Sequence, residues 1–308
     1  MDQKPRIVFM GTPAFAVASL QALIEAKMNV VGVVTAPDKP GGRGMQLQQS
    51  AVKQYALLAG LPLLQPEKLK APEFMDALAA WQPDLQVVVA FRMLPEKIWS
   101  FPHMGTLNVH GSLLPQYRGA APINWALMNG EKQTGVTTFK LQHAIDTGDI
   151  LLQDTIDISE QMTAGELHDK MMQVGAKLLI KTIDGLVAGT LNAIPQSTNN
   201  NDKHAPKIFT KDCEINWELE VVKIHNHIRG LAPFPGAITK VEGKIVKLFH
   251  TSVLKDMPSE ALGSFITDRK TFAKFACKDG YLLIHDIQWE GKKRMPITDF
   301  LRGYRKNA

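Results

Sequence analysis

Residues 85–115 read LQVVVAFRMLPEKIWSFPHMGTLNVHGSLLP and contain two short apolar segments, at 85–90 and 106–110. Residues 6–10 and 30–35 are two more segments of this kind, and helix-like patterns lie among them. Strands that alternate with helices and have no polar face form a parallel sheet that is covered on both sides. The first half of the chain is therefore predicted to be an α/β domain built on a parallel sheet.

Two polar residues stand at the end of the strand predicted at 106–110. Asn108 and His110 are two positions apart, so their side chains point to the same face, about 6.6 Å apart at the backbone. Ligands of open parallel sheets bind beyond the carboxyl ends of the strands. An amide donor and a titratable base at such an end are suited to polarising a carbonyl and moving a proton. Asn108 and His110 are therefore candidate catalytic residues.

Other polar motifs are less specific on their own. Asp146 lies in residues 145–149, Ile-Asp-Thr-Gly-Asp, which is also good turn chemistry. The sequence does not place Asp146 beside His110. His225 and His227 have the spacing of a metal pair, but no Cys, Asp or Glu at suitable spacing completes it. We predict that this pair is surface-exposed or faces RNA, and that the protein holds no metal.

Local signals predict where two helices begin. Ser50 is a residue type that accepts hydrogen bonds from a first helical turn, and we expect it to cap a helix that runs to residue 59. Pro72 is suited to the first turn of a helix at 72–80, because it lacks an amide that the helix would leave unbonded.

Composition limits the class of protein. A chain of 308 residues with 45% hydrophobic and 21% charged residues suits two globular domains. No apolar run reaches the length of a membrane span. Two distant cysteines, Cys213 and Cys277, indicate a reducing compartment, so a cytoplasmic location is predicted. Residues 11–13, Gly-Thr-Pro, replace the Gly-x-Gly-x-x-Gly of dinucleotide sites, which argues against such a site.

The second half of the chain differs in charge and pattern. Residues 190–206 have the composition of a linker, which divides the chain into domains at 1–189 and 207–308. Short strand-like segments after the linker predict a small β-barrel. Residues 203–308 hold 19 Lys and Arg against 12 Asp and Glu, a net charge of +7, whereas residues 1–202 carry −2. This asymmetry indicates a polyanionic partner or, equally, a solvated basic surface.

Two basic segments are candidate contacts to a phosphate backbone. The loop at 36–48 is rich in Gly and Pro and carries Lys39 and Arg43. It is either an ordinary mobile loop or a flexible arm that lies beside phosphates. The run Lys292, Lys293 and Arg294 is likewise either a solvated run or a phosphate contact.

Taken together, these motifs resemble the folate-dependent formyltransferases over nearly the whole chain. The early loop and the basic second half make the chain similar to the members that act on methionyl-tRNA. The resemblance implies a Rossmann-like formyltransferase domain followed by an OB-like, tRNA-binding barrel. It also implies 10-formyltetrahydrofolate as the formyl donor and initiator methionyl-tRNA as the acceptor. The small core of each predicted domain indicates no obligatory dimer, so a monomer is expected. The segments that carry the resemblance are residues 9–13, 37–44, 108–115, 117–122, 145–149 and 232–236.

The resemblance implies roles for the candidate residues. Asn108 would donate its amide to the formyl oxygen, and Asp146 would orient His110 and relay a proton. His110, if protonated, would stabilise the negative oxygen, and, if neutral, would take the proton of the attacking amine. The segment implied to contact folate is Ser112, Leu113, Leu114 and Pro115.

Two rival interpretations remain at this point. One is a formyltransferase that acts on an amino sugar or a glycinamide nucleotide, and the other is an RNA-binding protein without catalysis.

Overall fold

The computed structural model describes residues 4–41, 45–197 and 201–304. The helices of this part of the chain are α1 (Ala14–Glu25), α2 (Ala51–Leu58), α3 (Pro72–Ala80), α4 (Glu96–Trp99), α5 (Pro122–Met128), α6 (Ala164–Val187), α7 (Val221–Leu231) and α8 (Ile297–Arg302). The strands are β1 (Arg6–Gly11), β2 (Asn29–Val34), β3 (Lys39–Gly41), β4 (Gln46–Gln48), β5 (Leu63–Leu64), β6 (Leu85–Val89), β7 (Thr106–His110), β8 (Arg118–Gly119), β9 (Gln133–Lys140), β10 (Ile150–Asp157), β11 (His204–Ala205), β12 (Ala237–Val241), β13 (Lys244–Leu254), β14 (Phe265–Thr267), β15 (Ala273–Cys277), β16 (Gly280–Trp289) and β17 (Met295–Pro296).

The chain separates into two compact units. The first unit comprises residues 1–118, 135–156 and 169–203, and the second comprises 119–134, 157–168 and 204–308. The domain limits at 1–189 and 207–308, which the composition predicts, stay a prediction.

A seven-stranded sheet forms the centre of the first unit, in the order β10-β9-β7-β6-β1-β2-β5. The predicted parallel sheet is confirmed: β1 pairs in parallel with β2 and β6, and β6 pairs in parallel with β7. The central strands β1 and β6 are buried almost throughout, as expected of strands covered on both faces; Val8 and Val88, for instance, pack with Phe74 and Leu78 of α3. One strand differs from the prediction, since β9 runs antiparallel to β7.

The two predicted helix starts are found in the structure. The Ser50 hydroxyl accepts a hydrogen bond from the Lys53 amide at 3.0 Å and caps α2, and Pro72 is the first residue of α3. The same Ser50 hydroxyl lies 2.7 Å from the Thr35 hydroxyl just after β2, so the cap also ties α2 to the sheet.

The second unit is built on an antiparallel sheet in the order β12-β13-β16-β15-β14, with β17 paired to β16. The sheet is curled as a half-barrel, which agrees with the predicted small barrel. Its inner face is apolar, and Phe275 stacks on Trp217 with ring centroids 4.3 Å apart. Residues of α7 and α8 complete this core, for example Ile228 and Phe300.

The prediction that His225 and His227 are surface-exposed is wrong for His225, whose exposed fraction is 6%. Its Nδ1 lies 2.9 Å from the Thr251 hydroxyl, and its Nε2 lies 3.2 Å from the Glu160 carbonyl oxygen. The physical reason is the helical period of α7, which places His225 on the same buried face as Val221, Ile224 and Ile228. Burial lowers the pKa of both His225 and His227.

Acidification is expected to destabilise the protein through these histidines. An unfolded histidine binds a proton below about pH 6.5, whereas the lowered pKa of buried His225 delays its protonation in the folded state. The unfolded state therefore binds more protons as the pH falls, and the stability present above about pH 6.5 is progressively lost below it. We expect the melting temperature to fall between pH 7.5 and pH 5.0.

The variant His225→Asn is expected to flatten part of this fall, because asparagine does not titrate. His204→Asn, which changes an exposed histidine of the same unit, serves as the control and is expected to behave as the wild type. Calorimetry at several pH values gives the comparison, and equal slopes for all three proteins would contradict the assignment.

Candidate active site

The end of β7 carries Asn108 and His110 on one face of the sheet. β7 lies between β6 and β9, so its terminus is held on both sides, with His110 paired to Thr137 in the register of β9. His110 is 7% exposed, whereas Asn108 is partly exposed. Among the residues that the structure describes, none forms a hydrogen bond with the Asn108 side chain. Its amide is thus available to a ligand.

Two groups hold the imidazole of His110. Nε2 lies 3.0 Å from the Tyr117 carbonyl oxygen, and Nδ1 lies 3.8 Å from Oδ2 of Asp146. A carbonyl oxygen only accepts hydrogen bonds, so Nε2 carries a proton and Nδ1 is the nitrogen that gains or loses one. The 3.8 Å separation exceeds a hydrogen bond but is short enough for an ion pair when the imidazole is protonated.

Asp146 reaches His110 because of the loop between β9 and β10. The residue has a φ of +54°, the left-handed conformation that few residues with a side chain adopt. Gly148 permits the tight return of this loop, because a Cβ at that position would lie 1.6 Å from the Lys140 carbonyl oxygen. The convergence that the sequence left open is thus present in the structure: Asp146 faces the His110 ring.

The segment predicted to contact folate follows β7 and is firmly bonded to the sheet. The Thr137 hydroxyl donates to the Ser112 carbonyl oxygen at 2.6 Å and accepts from the Leu114 amide at 3.1 Å. Gln153 donates to the Leu114 carbonyl oxygen at 2.9 Å. Ser112 and Leu114 are buried, while Leu113 and Pro115 keep partial exposure. Sequence reasoning missed Thr137 and Gln153, since neither belongs to a recognisable motif.

Side-chain hydrogen bonds fix the start of the early loop at Asp38. The Asp38 carboxylate accepts hydrogen bonds from Lys53 at 2.5 Å and from Gln65 at 2.9 Å, and the bond to Lys53 lowers the pKa of Asp38. Beyond Asp38, β3 and β4 pair as a short antiparallel hairpin, and Lys39 on β3 is exposed. Arg43 lies outside the described residues.

The basic run near the C-terminus is exposed, but its three members differ. Lys292 and Lys293 are exposed, and the Lys292 amine lies 5.7 Å from the centroid of the Phe300 ring. Arg294 instead bonds to the Asp286 carboxylate and lies 4.5 Å from the centroid of the Phe249 ring. The charge of Arg294 is therefore partly neutralised within the second unit.

Two negative observations complete the description of the site. Within residues 4–41, 45–197 and 201–304, no three His, Cys, Asp or Glu side chains are grouped as metal ligands would be. The helices of this part of the chain are also too short or too polar to cross a lipid bilayer.

Two models of known protein families match the two halves of the chain. The family model described as "Formyl transferase" matches residues 5–183, and that described as "Formyl transferase, C-terminal domain" matches residues 207–305. The chain is 52% identical over 311 residues to a methionyl-tRNA formyltransferase of Azobacteroides pseudotrichonymphae, covering 97% of this chain and 96% of the relative. It is 49% identical over 307 residues to the enzyme of that name from Bacteroides fragilis, covering 97% and 95%.

The chain belongs to the methionyl-tRNA formyltransferase family. Solved structures share the fold of this family member at lower identity. A Helicobacter canadensis N-formyltransferase, solved with folinic acid and dTDP-3-aminofucose, has a TM-score of 0.67 at 18% identity and covers 94% of this chain and 100% of its own. HypX from Aquifex aeolicus, solved with tetrahydrofolic acid, has a TM-score of 0.67 at 19% identity and covers 99% of this chain. This chain spans about half the length of HypX, 49%.

Proposed function

We propose that the protein transfers the formyl group of 10-formyltetrahydrofolate to the α-amino group of methionine on initiator methionyl-tRNA. The observation that carries this proposal is the identity of about 50% with methionyl-tRNA formyltransferases over nearly the full length of both chains. The free amide of Asn108 beside the His110–Asp146 pair supports it, because this set suits an acyl transfer to an amine.

The donor supplies a formyl carbon that an amine can attack. The amine of methionine titrates at about 7.7–8.0, so part of it is neutral near pH 7 and can act as the nucleophile. As the new carbon–nitrogen bond forms, the formyl oxygen becomes negative and the attacking nitrogen becomes positive. Asn108 donates its amide hydrogen to that oxygen, which stabilises the charge that develops in the transition state.

The His110–Asp146 pair handles the proton. The attacking nitrogen loses its proton to this pair, and the pair returns a proton to the folate nitrogen as its bond to the formyl carbon breaks. Nδ1 of His110 is the accepting nitrogen, because Nε2 is engaged by the Tyr117 carbonyl. The Asp146 carboxylate stabilises the imidazolium that forms, and this imidazolium adds positive charge near the formyl oxygen. The products are formylmethionyl-tRNA and tetrahydrofolate.

Folate contacts are proposed for the segment after β7. Leu113 and Pro115 offer partly exposed side chains, whereas Ser112 and Leu114 act by shaping the backbone. Because Thr137 and Gln153 already bond this backbone, the segment is preorganised for its ligand.

The deciding experiment compares acceptors. Purified protein and 10-formyltetrahydrofolate are mixed with charged initiator tRNA, with a dTDP-amino sugar, or with glycinamide ribonucleotide. We expect formylated product with the tRNA only. Turnover of either small acceptor without any product on the tRNA would overturn the proposal in favour of another formyltransferase, and binding of tRNA without transfer would favour a non-catalytic RNA-binding protein.

The proposed substrate also suggests where and how the protein works. A cytoplasmic location is proposed, since initiator tRNA is used there and the thiols of Cys213 and Cys277 are unpaired and buried. A monomer is proposed as well, and size-exclusion chromatography with light scattering tests it.

Contacts to tRNA phosphates are proposed for Lys39, Arg43, Lys292, Lys293 and Arg294. Removing both exposed lysines, Lys292 and Lys293, is expected to raise the KM for tRNA and to leave the kcat nearly unchanged. Each lost phosphate contact lowers the magnitude of the slope of log affinity against log salt by about 0.7–0.9, so the double variant is expected to lose about 1.4–1.8. Formylation measured from 50 to 300 mM salt gives the slope.

Arg294→Ala is the matched comparison for the two lysines. The effect expected for it is smaller, because Asp286 already partners that guanidinium. A KM for tRNA that does not respond to salt in the wild type would contradict the electrostatic account.

A further inference from the structure

Residues 190–206 have the composition of a linker. Three of them, Gln196, Asp202 and Lys203, are nevertheless bonded to the segments that contact His110. Ile194 exchanges both backbone hydrogen bonds with Ile150 at 2.8 Å, which pins this stretch beside the start of β10. Gln196 then reaches the loop between β9 and β10, and the Lys203 carbonyl oxygen accepts from the Tyr117 amide at 2.6 Å. The stretch thus contacts both the Asp146 loop and the residue whose carbonyl bonds His110.

Both the nitrogen and the oxygen of the Gln196 side-chain amide form hydrogen bonds. Its Nε2 donates to the carbonyl oxygens of Asp146 at 3.0 Å and Gly148 at 2.7 Å. Its Oε1 accepts from Nε and Nη2 of Arg118 at 3.0 and 2.6 Å. Carbonyl oxygens cannot donate and a guanidinium cannot accept, so these partners fix the orientation of the amide.

Arg118 closes the set of contacts around the imidazole. Its Nε also donates to the Asp146 carbonyl oxygen at 3.1 Å, and it directly follows Tyr117 in the chain. His110 is bonded to Tyr117 on one side and faces Asp146 on the other. Arg118 and Gln196 together therefore tie the two partners of His110 to each other through the backbone.

We propose that Gln196 is a positioning residue of the formyl transfer, which acts by fixing the peptide of Asp146 so that its carboxylate faces Nδ1 of His110. The proposal rests on the function proposed above. Gln196 and Arg118 bond the main-chain carbonyl of Asp146, so they act on its carboxylate through the backbone. Without the hydrogen bonds from Gln196, the left-handed backbone at Asp146 is held less firmly. The loop can then relax to conformations that residues with a side chain prefer.

The test uses Gln196→Ala and Gln196→Glu in the full chain, with Asn192→Ala as a matched control. Asn192 is an exposed amide residue of the same stretch, so its loss is expected to be neutral. Glutamate keeps the length of glutamine but places an acceptor opposite two carbonyls, so it keeps the fold testable if the alanine variant unfolds. We expect both Gln196 variants to lower kcat by about 10- to 100-fold, as small misplacements of catalytic groups do, with KM values for folate and tRNA within about twofold.

Two further measurements separate positioning from a general loss of structure. In combination with Asp146→Asn, the Gln196 substitution is expected to cause little additional loss, because it acts only through that carboxylate. Hydrogen exchange of residues 144–149 is expected to rise in the Gln196 variants and not in Asn192→Ala, whatever the activity. Unchanged kcat, losses that multiply with Asp146→Asn, or unchanged exchange in this loop would each overturn the inference. Absence of formylation by the wild type would instead refute the proposed function, and the exchange data would still decide whether Gln196 holds the loop.

Discussion

His110→Ala is expected to lower the kcat for formylation of initiator methionyl-tRNA by about 10²–10⁴-fold, the usual contribution of a positioned acid or base. In the proposed mechanism, alanine removes the nitrogen that accepts the amine proton and the imidazolium that Asp146 stabilises. The loss is expected in kcat more than in KM, because the proton moves only as the new bond forms. Steady-state kinetics with charged tRNA and with the folate donor give both constants.

The control for His110→Ala is His103→Ala, since His103 is a histidine of the same unit whose side chain is 72% exposed. It is expected to leave kcat unchanged. A loss below about tenfold for His110→Ala, which corresponds to roughly 1.4 kcal/mol, would exclude a central chemical role for the imidazole.

Asn108→Ala is expected to lower kcat by about 10²–10³-fold, or about 3–4 kcal/mol of transition-state stabilisation, as loss of one oxyanion donor typically does. The side chain has no hydrogen-bond partner among the described residues, so its truncation leaves no protein group unpaired. The melting temperature is therefore expected to change little, although kcat falls by the amount given above. Kinetics and thermal unfolding on the same sample make the distinction.

Two comparisons sharpen the Asn108 test. Asn108→Asp keeps the shape but places a negative charge beside the developing oxyanion, so it is expected to be slower than the alanine variant. Asn29→Ala, at the exposed start of β2, is the control for loss of an asparagine in this sheet. Equal rates for Asn108→Asp and the wild type would show that the amide hydrogen is not used.

Elements set by local signals agree with the sequence predictions. β7 and α3 have the predicted limits, and Ser50 caps α2, because apolar runs, proline and capping hydroxyls act over a few residues. The sequence analysis did not predict β9, because the threonines of this strand read as polar positions. In the structure they are buried. Thr138 and Thr182 bond to each other at 2.8 Å, which offsets the cost of burying these two hydroxyls.

The candidate site divides in the same way. Asn108 and His110 are assigned to one face by the strand period alone. The antiparallel pairing of β9 with β7 places Thr137 beside His110, and the loop that follows β9 carries Asp146. The stretch after α6 brings Gln196 to that loop. Neither arrangement leaves a local signal in the sequence.

The amino-acid sequence by itself determined the parallel sheet, the shared face of Asn108 and His110, and the basic character of the second half. Only the tertiary structure decided that Asp146 faces His110, that Gln196 bonds the loop of Asp146, and that His225 is buried. The physical reason is the distance along the chain over which each feature is decided. Periodicity and capping depend on neighbouring residues, whereas the positions of Asp146, Gln196 and His225 depend on pairing register and on contacts between distant segments.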